Sequence, residues 1–205
     1  MIISEITSVT KARYKVLLED GTSFVVYRGE LQRFHMKQGE ELSLEAYQCL
    51  FHEILPKRAK LRSMNLLKSK DYTQKQLEDK LQQGGYPEKI VQEAIAYVAS
   101  YGYINDENYA RSYIEYHMES RSKARIVNDL QKKGIAKATI MNVFEQLQEN
   151  GVEIDEMSMA KKLLQKKNYH ATTATYEEKQ KMYGFLYRKG FHSSVISRVL
   201  LLDIT

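Results

Sequence analysis

The side chains able to do chemistry are scattered along this chain. The five histidines, at 35, 52, 117, 170 and 192, show no ligand spacing such as H-x-x-x-H. A single cysteine, Cys49, excludes an internal disulfide and a cysteine-based zinc site. Carboxylates occur side by side, as in Glu78-Asp79 and Glu177-Glu178. Adjacent residues on a helix point in different directions, and such pairs ordinarily sit on a solvated face. There is no G-x-x-x-x-G-K-S/T loop to cradle phosphates, no G-x-G-x-x-G and no G-x-S-x-G. Nothing here specifies a catalytic residue, a metal ligand or a cofactor. The sequence is read as that of a binding protein, not an enzyme.

Two features have the chemistry of binding. Arg121, Lys123, Arg125, Lys132 and Lys133 form one basic cluster, and Lys161, Lys162, Lys166 and Lys167 form another. Such side chains pair with phosphates or with acidic side chains, or simply solvate a helix. Their recurrence in successive segments favours binding. The second feature is tyrosine density, 15 in all, with Tyr97, Tyr101, Tyr103, Tyr109, Tyr113 and Tyr116 closely grouped. Exposed tyrosines stack on bases, but the helical spacing favours packing between helices.

Charge is unevenly spread behind these clusters. Residues 1–56 hold 6 Lys+Arg against 8 Asp+Glu, whereas residues 57–205 hold 25 against 18. An excess of that size suits a polyanionic partner, DNA or an acidic protein face, and equally a mildly basic solvated surface. Hydrophobic content of 43% with 28% charged residues and mean hydropathy of −0.51 suits a thin, extended protein better than a globule. No run approaches the ~20 apolar residues of a membrane span, and the start lacks a signal-peptide pattern. A reducing cytoplasm is the expected setting.

The elements that must position these residues fall into two kinds. Ile2–Val9, Tyr14–Leu18 and Thr22–Tyr27 are rich in β-branched and aromatic residues, and Asp20-Gly21 signals a two-residue hairpin. This predicts a small antiparallel β meander over residues 1–43. Ser43 caps a connecting helix over 44–56, and Pro56 interrupts or restarts the helical pattern. The acidic segment before Pro56 reads as self-contained, so a chain starting near Lys57 is expected to keep most of its helical structure.

From Lys57 the punctuation repeats. Leu81-Gln-Gln-Gly-Gly85-Tyr86, Leu130-Gln-Lys-Lys-Gly134-Ile135 and Leu186-Tyr-Arg-Lys-Gly190-Phe191 superimpose at offsets of 49 and 56 residues. Aligned apolar positions flank them on both sides: Leu77, Ile126 and Met182 upstream, then Val91, Ile140 and Ile196 downstream. This predicts an all-α fold beyond the meander, an elongated stack of three tandem three-helix repeats over 57–104, 105–152 and 153–205. In each, the second helix stops at a Gly that adopts the left-handed C′ conformation at little cost. Thr73-Gln-Lys-Gln76 and Thr175-Tyr-Glu-Glu178 are capping boxes, and Pro87 suits the first position of a third helix. The seven extra residues of the last repeat fall between Asp155 and Met182, with Ala171–Ala174 marking the loop.

Gly102-Tyr-Ile-Asn-Asp106-Glu-Asn-Tyr109-Ala110, followed by Arg125-Ile126 and by Leu130 through Gly134-Ile135, closely resembles the signature of the RecX family, bacterial regulators of the RecA recombinase. The resemblance spans 57–205 in repeat organisation and is sharpest over 102–135. The signature residues have architectural roles of their own: Gly102 ends a helix, Asn105 or Asp106 caps the next, and Tyr109 and Ala110 face its packing side. Met159 stands where the second repeat has Tyr109, and Lys57 where it has Asp106. The resemblance implies a monomeric regulator, most simply an inhibitor, that binds the RecA nucleoprotein filament and modulates strand exchange and ATP hydrolysis in recombination, repair and the SOS response. It also implies a weak contact with the bound DNA. The competing reading is a sequence-independent DNA-binding helical protein, and a scaffold without any link to nucleic acid is a third.

Overall fold

The computed structural model describes residues 1–201, which form two compact units, Met1–Asn105 and Asp106 onward. The end of the expected third repeat, residues 202–205, lies outside the described residues.

The first unit opens with an antiparallel sheet ordered β1 (Ile3–Thr10), β2 (Arg13–Leu18), β3 (Ser23–Tyr27). Register places Ile3 opposite Leu18 and Val16 opposite Phe24. Val16, Leu18, Phe24 and Val26 alternate with more exposed residues and line one buried face. The β2–β3 connection is one residue longer than a two-residue hairpin. Leu18 N–H donates to Thr22 O and Gly21 N–H donates back to Leu18 O. Gly21 sits at φ +83°, the left-handed position of a three-residue hairpin loop.

A short helix, α1 (Arg28–Arg33), follows directly, with the Glu30 carboxylate accepting the Tyr27 N–H. The sequence reading missed it because six residues carry too little periodicity. Next come α2 (Leu44–Gln48), whose cap Ser43 accepts from Ala46 N–H, a π-helical segment (Cys49–Ile54) and α3 (Leu55–Leu67). Pro56 does not break this run. It lies in the first turn of α3 just past the π turn, and the wider turn relieves the clash of its ring with the carbonyl four residues back. Then α4 (Gln74–Gln83) and α5 (Glu88–Ser100) complete the unit. Pro87 is the N-cap of α5, one residue earlier than expected.

The N-terminal segment is not self-contained. Ile3, Val16, Phe24 and Val26 belong to one continuous core with Leu50, Leu55, Leu77, Leu81 and Ile95. The edge of β3 docks on the α4–α5 turn: Val25 N–H donates to Gly85 O at 3.0 Å, and an Arg13 guanidinium N–H donates to Gly84 O at 2.8 Å. A Cβ on Gly85 would stand 2.1 Å from Val25 Cγ2, so both the φ of +85° and the close approach require glycine.

The second unit holds α6 (Asp106–His117), α7 (Lys123–Lys132), α8 (Lys137–Glu149), α9 (Glu156–Gln165), α10 (Tyr176–Arg188) and α11 (Ser193–Val199). Helices α6–α8 enclose one core around Ile114, Ile126, Leu130 and Ile140, and α9–α11 another around Leu164, Leu186 and Ile196; Ile154 packs against both. The second helix of each repeat ends alike. Tyr86, Ile135 and Phe191 N–H groups donate to Leu81, Leu130 and Leu186 O, closing Schellman motifs around Gly85, Gly134 and Gly190 at φ +85°, +91° and +88°. The Leu-x-x-x-Gly-apolar pattern is therefore a helix stop whose two apolar residues meet. Thr73 and Thr175 form the expected capping boxes. The extra residues of the last repeat lengthen the connection before α10, in which Asn168 takes φ +52°.

Candidate functional site

The basic site is built around a turn. Ser122, the N-cap of α7, is buried; its hydroxyl accepts from Arg125 N–H at 3.3 Å and donates to Lys189 O at 2.9 Å. The hydrogen bond to Lys189 O pins the α10–α11 turn to the start of α7, so side chains on either side of Ser122 face those at the end of α10. The resulting cleft, about 640 Å³, is lined by Arg121 and Arg125, by Lys162 and Lys166 of α9, and by Arg188 and Lys189; Glu119 is the carboxylate in its wall. Phe185, Phe191, Leu163 and Met159 supply its apolar floor.

Part of this charge is internally balanced. Asp129 accepts from Arg121 at 2.7 Å and from Arg125 at 3.2 Å, and Arg121 also donates to the Tyr113 hydroxyl at 2.7 Å. These bonds fix the two guanidiniums in place. One shared carboxylate leaves a net positive pair facing the cleft, where a held Arg loses less entropy on meeting an anion than a free one. Lys162, Lys166, Arg188 and Lys189 are exposed.

The remaining basic residues are elsewhere. Lys123 caps its own surroundings: its N–H donates to Glu156 Oε1 at 2.8 Å, and its ammonium lies 4.8 Å from the Phe144 ring centre. Lys133 is half-buried over the rings of Tyr109 and Tyr113. Lys132 is exposed at the end of α7, and Lys161 lies on the side of α9 near Asp155, whose carboxyl is held low first by the hydroxyl of Ser158 and then by its N–H, with a smaller contribution from Lys161. Lys167 sits 5.6 Å over Phe185. Arg188 and Lys189 were missed in the sequence because they were absorbed into the repeat motif. The spacing that marks Lys162 and Lys166 as cleft residues, four apart on one helix face, was legible.

The signature positions are architectural. Gly102, at φ +70°, ends α5 with Tyr103 N–H donating to Val98 O. Asp106 is the first residue of α6, Ala110 and Leu130 are fully buried, and Tyr109 stacks on Tyr113. Among the described residues no three His, Cys, Asp or Glu side chains gather as a metal site would need, and no helix is long and apolar enough to cross a membrane.

The three helical repeats each match a family model: RecX first three-helix domain over 59–97, second over 105–143 and third over 153–200. The regulatory protein RecX of Caldanaerobacter subterraneus subsp. tengcongensis is 32% identical over 98% of this chain and 98% of its own. The chain belongs to the RecX family. The crystal structure of a regulatory protein RecX covers 97% of this chain and 98% of its own at 25% identity, with a TM-score of 0.64. RecX from Lactobacillus salivarius covers 71% of this chain and 94% of its own with a TM-score of 0.61; at 24% identity it bears on the fold alone. Membership in RecX makes the protein a regulator.

Proposed function

We propose that this protein regulates RecA by binding the RecA nucleoprotein filament through the cleft between α7, α9 and α10, inhibiting strand exchange and ATP hydrolysis. The observation that carries this reading is the convergence of Arg121, Arg125, Lys162, Lys166, Arg188 and Lys189, from three helices of two repeats, on one cleft. A nucleoprotein filament presents anionic groups in regular array, and cations held on successive repeats meet such a lattice at more than one point. Each exposed contact contributes roughly 0.2–1 kcal/mol, and linked weak contacts add through effective concentration.

The same cations favour the second reading, sequence-independent DNA binding, because Lys and Arg that neutralise phosphates need no base contact. Co-sedimentation separates the two. The protein is expected to pellet with RecA filaments well beyond its pelleting with bare single-stranded DNA of equal length. Equal pelleting with both would favour the DNA-binding protein, and pelleting with neither would remove both readings.

A further inference from the structure

The first unit carries an aromatic surface that the basic cleft does not use. Tyr97, on the last turns of α5, meets Tyr101 edge-on at 5.1 Å between ring centres, and Tyr101 stacks on Tyr103 at 5.9 Å with planes 18° apart. The phenol of Tyr97 is raised above its ordinary value, first by the neighbouring Tyr101, as expected of hydroxyls crowded together. Tyr101 is 61% exposed and Tyr103 58% exposed, so two large rings lie open to water. Tyrosines that only pack helices together do not keep their faces in solvent. Helical spacing favours packing for the whole group, and Tyr109 and Tyr113 follow that rule, but Tyr101 and Tyr103 lie past the end of α5, where the helical period no longer turns them inward.

Cations stand beside the ladder. Lys60 of α3 holds its ammonium 5.0 Å from the Tyr97 ring centre, and α3 packs along α5. α3 carries Lys57, Arg58, Lys60 and Arg62 and no carboxylate. Arg58 is engaged with Glu30 and the Tyr27 ring, but Lys57 precedes Lys60 by three residues and shares its face. On α5, Glu93 is a carboxylate of the same face, one turn before Tyr97 and two turns before Tyr101. Flat aromatic faces with cations along one side match a strand whose bases are unpaired and whose phosphates run beside them. Stacking takes any base, and the lysines take the backbone.

We infer that Tyr101 and Tyr103, with Lys57 and Lys60 alongside, form a stacking site for unpaired bases of single-stranded nucleic acid. Tyr97 supports Tyr101 from behind. A duplex is a poor ligand because its base faces are covered, and an acidic protein would use the lysines but gain little from the rings. The site deepens the filament reading by adding a contact to the DNA strand, but it stands on different residues and is tested without RecA.

The test uses the full chain and a fluorescein-labelled oligothymidylate of about 20 nucleotides, read by anisotropy, beside an oligomer of abasic sugar phosphates of equal length. The Tyr101→Ala/Tyr103→Ala variant is expected to bind oligothymidylate about tenfold more weakly than the parent, while Tyr101→Phe/Tyr103→Phe, which keeps the rings, stays within about twofold. The parent is expected to bind the abasic oligomer about tenfold more weakly than it binds oligothymidylate. Parent affinity that is equal for the two oligomers, an alanine variant within about threefold of the parent, or no parental binding overturns the site. Because the abasic comparison uses unmodified protein, misfolding of a variant cannot rescue or sink the result. Loss of base stacking with filament inhibition intact would overturn neither the cleft nor the filament reading.

Discussion

The Ser122 hydroxyl donates to Lys189 O at 2.9 Å, directly beside a glycine, Gly190, whose Cβ would fall 2.7 Å from that hydroxyl. One hydrogen bond thus joins the N-cap of the second repeat's middle helix to the helix stop of the third. Ser122→Ala removes the cap of α7 and leaves Lys189 O unpaired, so it is expected to cost about 1–2 kcal/mol in urea unfolding. Gly190→Ala must both accept φ +88° and displace Ser122, and is expected to cost about 1–3 kcal/mol. Ser122→Thr, which keeps the hydroxyl, is expected to stay within about 0.5 kcal/mol of the parent. Ser122→Ala melting with the parent would mean that the bond does not couple the repeats.

Gly134 closes the equivalent stop of the second repeat at φ +91°. Gly134→Val is expected to cost more than about 1 kcal/mol through backbone strain, because a β-branched residue is poorly tolerated in the left-handed region. Lys133→Ala removes the ammonium over Tyr109 and Tyr113 without straining the backbone, and is expected to cost less, about 0.5–1 kcal/mol for the ring contacts. Urea midpoints of the two variants beside the parent check the order.

A chain starting at Lys57 lacks Ile3, Val16, Leu18, Phe24 and Val26, each fully buried against the helices of the first unit. Burying such a side chain is worth about 1.5–3 kcal/mol, so their loss rivals the whole stability of an ordinary domain. Amide exchange is expected to show α3–α5 unprotected and α6–α8 still protected. Full protection of α3–α5 in that chain would make the sheet dispensable.

His117 packs edge-on against Tyr113, and its imidazole is held below its ordinary value, first by burial and then by Arg121. The folded value lies below the unfolded one, so the neutral ring's contribution is complete above the unfolded value of about 6.5 and is lost as pH falls through the folded value. Proton resonance titration of His117 is expected to give a midpoint below 6.5. Arg121→Ala should move that midpoint upward without fully restoring it, since burial remains.

Local rules explain what the sequence made legible. Three glycines at one offset from three leucines announced three helix stops, and Thr73 and Thr175 announced two helix starts, because each depends on a few neighbouring residues. The cleft was only half legible. Lys162 and Lys166 share a helix face by spacing alone, but Arg188 and Lys189 reach Arg121 through the Ser122–Lys189 contact across 67 residues, which no local pattern encodes. The same holds for the sheet: Val25 gave no sign that it would rest on Gly85.

The central claim is that the cleft acts on RecA, and its most direct test is RecA ATP hydrolysis on single-stranded DNA, titrated with this protein. The parent is expected to inhibit. Arg125→Glu/Lys162→Glu/Lys166→Glu/Arg188→Glu, with its helical circular dichroism unchanged, is expected to need about tenfold more protein or greater for the same inhibition, since four exposed contacts of roughly 0.2–1 kcal/mol each are reversed. Equal inhibition by parent and quadruple variant, or no effect of the parent on hydrolysis, would contradict the account.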